Sequence, residues 1–148
     1  MTRLLLGALL VAATSSFAQT PVPAIPFDSV PNFLQLPPGM NFGEVSGVAV
    51  NRQGHVFVFT RSNSASGPAY APTAAQLLEF GPTGAFIREV GKGLYAWSFA
   101  HTVRVDRAGD IWAIDKGSDM VVRFSPNGRV AMVFGRRQES AEEIGRAH

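Results

Sequence analysis

Cysteine is absent from all 148 residues, which excludes disulfide scaffolds and thiolate metal centres. Histidine occurs three times, so any metal here must rely on few imidazoles and on oxygen ligands. Charged residues make up only 16% of the chain, and 13 Lys+Arg against 11 Asp+Glu leave a formal charge of +2. The basic residues are dispersed, so no nucleic-acid patch is expected. No segment of about ten residues keeps a 3.6-residue apolar period without Gly or Pro, which argues against helical repeats and coiled coils. No apolar run reaches the roughly 20 residues that a membrane helix needs. What is abundant is hydrophobic residues (46%), Gly (15) and Pro (10), the composition of one globular domain at most.

Residues 1–18 read as an export signal: Arg3, the apolar run Leu4 to Ala13, and the small-x-small site Ser16-Phe17-Ala18. Cleavage there leaves 130 residues, secreted or periplasmic, with no membrane attachment. Residues 19–40 are a Pro-rich linker or wrapping arm (Pro21, Pro23, Pro26, Pro31, Pro37, Pro38), since proline removes amide donors and favours extended backbone. Residues 136–148 read as a solvated connector or truncated tail.

Between them, residues 41–135 contain an internal repeat. Gly47-Val48-Ala49-Val50-Asn51-Arg52-Gln53-Gly54 and the following Val56-Phe57-Val58-Phe59 match Thr102 to Ile114 at an offset of 55. Leu77 to Ile87 matches Val121 to Ala131 at an offset of 44, so the first unit carries 11 extra residues, in the Ser62 to Ala75 region. Each unit has four runs of strand character, at about 46–50, 55–60, 76–80 and 85–90, then 101–105, 110–114, 120–124 and 129–134. Four connections, Asn51 to Gly54, Gly81 to Gly84, Asp106 to Gly109 and Ser125 to Gly128, put Gly fourth, where a type I turn followed by a left-handed residue closes a hairpin. Two four-stranded meanders at this period predict an all-β fold of two propeller blades. Strand parity then sends the tight turns to one end and the long loop, the Gly91 to Ala100 crossover, Arg61, His101 and Asp115-Lys116 to the other. Sites favour the end with irregular loops.

Phe42-Gly43-Glu44-Val45-Ser46-Gly47-Val48-Ala49-Val50, the strand Val56 to Thr60 ending in Arg61, and His101-Thr102-Val103-Arg104-Val105-Asp106 before Gly109-Asp110-Ile111-Trp112 are similar to the peptidyl-α-hydroxyglycine α-amidating lyase family. The resemblance spans about residues 33 to 135. It implies an NHL-type propeller, of which this chain holds two of the family's six blades, and a reaction splitting a carbinolamide, N-CH(OH)-COOH, into an amide and glyoxylate. It implies zinc on three histidines, of which His101 matches the first, and a structural calcium on the backbone carbonyls of Val48 and Val103. Arg61 matches the active-site arginine, whose fixed charge suits a carboxylate or a developing oxyanion. The family's Pro-His-Gly-Leu-like segment reads Ala100-His101-Thr102-Val103 here. The other two zinc histidines, the catalytic tyrosine and the calcium aspartate match nothing in this sequence. The chain alone is therefore expected to be inactive.

Read without the resemblance, His101 is a polar loop-end residue and Arg61 a surface charge on an apolar stem. Asp115 and Lys116 read as a structural pair, His55 as a solvated turn residue, Trp97, Phe99 and Trp112 as packing aromatics, and Tyr70 and Tyr95 as candidates to line the channel. Two further functions fit the architecture: a non-enzymatic NHL propeller acting as a binding or scaffold module, and a calcium-dependent lactonase-like hydrolase, which wants acidic metal ligands where this face offers chiefly His101, Arg61 and Asp115. The expected partner is a small-molecule or peptide C-terminal substrate. Self-association is expected too, because blade faces built from Phe57, Phe59, Ile111 and Val133 should lie open in a two-blade piece.

Overall fold

Alternation of apolar residues with short Gly-closed turns produces strands and nothing else. The computed structural model describes residues 22–61 and 74–137, and no helix occurs among them. The signal segment, the 62–73 stretch with Tyr70, and His148 lie outside the described residues. Strands β1 (Glu44–Val50), β2 (Val56–Arg61), β3 (Ala75–Phe80) and β4 (Phe86–Val90) form one antiparallel meander. Strands β5 (Ala100–Val105), β6 (Ile111–Asp115), β7 (Met120–Phe124) and β8 (Val130–Phe134) form a second, in the same order. Every strand lies within two residues of its expected span.

The four tight turns are alike in detail. Gly54, Gly84, Gly109 and Gly128 have φ of 81–90° and donate their amides to the residue three before them. Any side chain there would strain a left-handed backbone. In the first turn of each sheet a side-chain oxygen takes two further amides: Asn51 Oδ1 accepts from Gln53 and His55, and Asp106 Oδ1 from Ala108 and Asp110. Asp106 also accepts from the Trp112 indole at 2.9 Å, and this bond, helped by the backbone amides, holds its carboxyl below the usual carboxylate range. A depressed folded pKa means the bond stabilises fully above the unfolded value and loses that contribution as pH falls through the folded one. We therefore expect the Trp112 indole N–H signal to move with acid at a pH below ordinary carboxylate titration. In Asp106→Asn, which copies Asn51, the hairpin should persist and that titration vanish. NMR of the indole proton decides it, and an unchanged titration in Asp106→Asn would reassign the shift.

The two sheets pack back to front, burying one face of each. The back face of the first sheet carries Phe57, Phe59, Leu77 and Val90, all buried against Val103, Ile111, Ala113, Val122 and Phe124 on the front face of the second. Trp97, from the crossover, fills the gap between them, its ring centroid 4.9 Å from Phe59 and 5.9 Å from Phe124. Each such aromatic stabilises the fold by about 2 kcal/mol through area removed from water. Phe57, Phe59 and Ile111 are thus partners within the chain, which corrects the expectation that they lie open; the facing of one sheet by the next is what buries them. Val133 does stay half-exposed, on β8.

The front face of the first sheet is covered differently. Leu34, Leu36, Met40 and Phe42 pack over Val58, Leu78 and Phe80, and Gln35 forms an isolated parallel bridge with Ala85. The Pro-rich segment is therefore an arm wrapped on the sheet from about Phe33 onward, while Val22, Ile25, Phe27 and Val30 before it are exposed.

Candidate functional site

Two β-bulges occur at the same place in both units. The β1–β2 register shifts at Ser46 and the β5–β6 register at His101, residues 55 positions apart. A bulge bends the strand and re-aims its extra side chain. His101 is exposed there and its side chain makes no hydrogen bond or ion pair among the described residues, whereas the Ser46 hydroxyl donates to Phe59 O at 3.1 Å.

Arg61 ends β2 beside this point and joins the two sheets. Its Nε donates to Ala100 O at 2.8 Å, its Nη1 to Glu44 Oε1 at 2.8 Å, and its guanidinium carbon lies 3.8 Å from the Phe99 ring centroid. Lys116, its repeat equivalent, approaches the same ring, with Nζ at 6.0 Å from the centroid. Three fixed contacts hold the guanidinium to one orientation, and its side chain is only 13% exposed. This is a charge held in place before any ligand arrives.

Behind it, Asp115 is fully buried and its carboxylate accepts the amides of Ser98, Phe99, Gly117 and Ser118 at 2.8–3.0 Å. It clamps the crossover to the β6–β7 turn and so fixes Phe99 under Arg61. Asp115 is structural, but Lys116 is not its partner: the Lys116 amide donates to Phe99 O.

Of the residues singled out from sequence, Arg61 and His101 meet at one end of the sheets. The two valines lie inward along β1 and β5: Val48 is half-exposed and Val103 fully buried. The Val103 carbonyl accepts Arg104 Nη1 at 2.8 Å. No group of three His, Asp or Glu that could hold a metal exists among the described residues, so His101 does not make a zinc centre with them.

His55 differs from expectation. Its Nδ1 lies 2.8 Å from Glu79 Oε1, and Arg88 Nε donates to the other Glu79 oxygen at 2.6 Å. The repeat-equivalent pair is Asp110–Arg123 at 3.5 Å, with the carboxylate on the other strand of the pair. His55 is a cross-strand partner rather than a free turn residue. Trp112 lies on the outer face of the second sheet, bonded to Asp106, and Tyr95 is half-exposed on the crossover.

Sequence reasoning assigned no role to Glu44 and counted Phe99 as packing. The signal that could have found them is the repeat offset itself, which aligns Ser46 with His101 and Arg61 with Lys116 and so marks this end twice. The described residues define an all-β protein of two stacked antiparallel sheets with a cationic end built on Phe99. No protein-family model matches the chain, and no curated protein matches it.

Proposed function

We propose that this chain is part of an exported NHL-type propeller of the peptidylamidoglycolate lyase type, and that the end bearing Arg61 and His101 faces a substrate carboxylate. The observation that carries the reading is Arg61: a guanidinium fixed by Glu44, Ala100 O and Phe99 at the end of β2, with Lys116 Nζ 6.0 Å from the same ring. A planar, oriented donor suits the two oxygens of a carboxylate better than a mobile ammonium does. In the reaction the carbinolamide hydroxyl loses its proton, the C–N bond breaks, the nitrogen takes a proton as amide, and glyoxylate leaves. Arg61 would hold the carboxylate that becomes part of glyoxylate. Zinc and calcium belong to this reading only in a form carrying further repeats.

A non-enzymatic binding or scaffold module is the second reading, favoured by the same geometry, because two of the Arg61 contacts also fasten β1 and β5 to β2. The test separates them. The chain, supplied with zinc, is expected to release no glyoxylate from a peptidyl-α-hydroxyglycine, since the ligand set is incomplete. The same substrate should shift the Arg61 Nε–H signal in NMR, and Arg61→Lys should bind it about tenfold more weakly. Turnover above buffer overturns the inactivity. An unmoved Arg61 signal overturns the carboxylate role and leaves Arg61 a fastener.

A further inference from the structure

The back face of the first sheet and the back face of the second are the same surface by repeat register. On the first, Phe59, Leu77 and Val90 form one cross-strand row, and Phe57, Glu79 and Arg88 the next. On the second, Ile114, Val121 and Phe134 form the equivalent row, and Trp112, Arg123 and Met132 the next. The first row is buried by the second sheet. Its equivalent is open: Ile114 is 37% and Phe134 72% exposed. The front faces correspond as well, with Val58, Leu78 and Phe80 aligning with Ala113, Val122 and Phe124. The contact between the sheets is therefore heterologous, front to back, and among the described residues nothing covers the back face of the second sheet. Its matching front face is on the first sheet, beneath the arm.

We propose that the open back face docks the first sheet of a second copy, head to tail, and that the arm from Phe33 to Phe42 is the cover that competes for this contact. The arm is built as a cover rather than a strand. It rests on the sheet by side chains, an isolated bridge and the bond from Gln35 N to Gly84 O at 2.9 Å, with no ladder to hold it. The occupant is a like sheet because the same register already buries such a sheet once in this chain, and the required face of aliphatic and aromatic residues exists on this chain under the arm. Heterologous contacts of this kind propagate into open chains or close into rings. One difference weakens the intermolecular copy. Gly47 lets β5 approach β1 closely, but its equivalent on β5 is Thr102, whose side chain keeps the next inner strand farther away. The inference rests on the repeat register and is independent of what Arg61 binds.

Sedimentation velocity on the chain from residue 19, over about 1 to 100 µM, tests it. The mean mass should rise with concentration. Leu34→Ser with Leu36→Ser, which loosens the arm, should move that rise to roughly tenfold lower concentration. Ile114→Glu with Val121→Glu should keep the chain monomeric with either arm. A monomer throughout, with intact and loosened arm alike, overturns the proposal, as does association that survives the two glutamates. A second measurement leaves the arm unaltered. Because the chain lacks cysteine, Phe134→Cys accepts a paramagnetic label cleanly, and mixed with isotope-labelled wild type it should broaden amides of β2 and β3. Broadening of β7 and β8 instead means back-to-back pairing and overturns the head-to-tail contact.

Discussion

Asp115→Ala is expected to lower the stability of the chain by about 4 kcal/mol, a large share of the 5–15 kcal/mol typical of a domain. The carboxylate is fully buried and takes four amides, from Ser98, Phe99, Gly117 and Ser118. Truncation leaves these donors in a water-poor site, each costing on the order of 1–3 kcal/mol if nothing replaces the oxygen, with some overlap because they share one acceptor. Asp115→Asn keeps the shape and one carbonyl oxygen but loses the charge, so about half the loss is expected. Urea denaturation followed by the fluorescence of Trp97, next to the clamp, measures both. A loss under about 1 kcal/mol in Asp115→Ala would mean that water enters and satisfies the amides.

This residue also shows where sequence reading stops. Asp115 stands beside Lys116, and adjacent opposite charges invite an ion pair. In the fold the carboxylate instead reaches 16–17 positions back to the crossover amides, a contact that no local pattern announces. The strands and turns, by contrast, were legible because their causes are local: alternation sets the two faces of a strand, and Gly at a left-handed position sets the turn. The position of Arg61 and His101 at one end followed from strand parity, which needs only a count of reversals. The contacts of Arg61 with Glu44 and Phe99 did not, since they depend on how the second sheet sits on the first. The arm shows the same division. Proline predicted an extended segment, but the face it covers was fixed by which side of the first sheet the second sheet leaves free. Similarly, the burial of Phe57 and Phe59 could not be read until the order of faces was known. Alternation says that a side chain is on a face without saying what that face meets.

Gly47→Thr should cost about 3 kcal/mol or more, although it installs the residue that the repeat itself carries at the equivalent place, Thr102. The reason lies across the sheet interface. A Cβ built on Gly47 would sit 2.9 Å from Val103 N and 3.0 Å from Thr102 Cα, atoms of the β5 backbone rather than the end of a flexible side chain. Neither strand can yield locally: β5 is held by its ladder to β6, and β1 by its ladder to β2. The sheets must separate, which loosens Val103 and Trp97 against Phe57 and Phe59 and forfeits part of the dispersion contact of the core. Gly47→Ala should already incur most of the loss, because the first carbon is the one that collides. The reverse change, Thr102→Gly, removes a side chain from a partly exposed strand position and should cost only about 1 kcal/mol. Denaturant midpoints of the three variants, with amide exchange of β5, distinguish a collision from a propensity effect. If Gly47→Ala and Thr102→Gly change stability equally, β1 and β5 part without cost, and the close approach that orders the two sheets is not what holds them together.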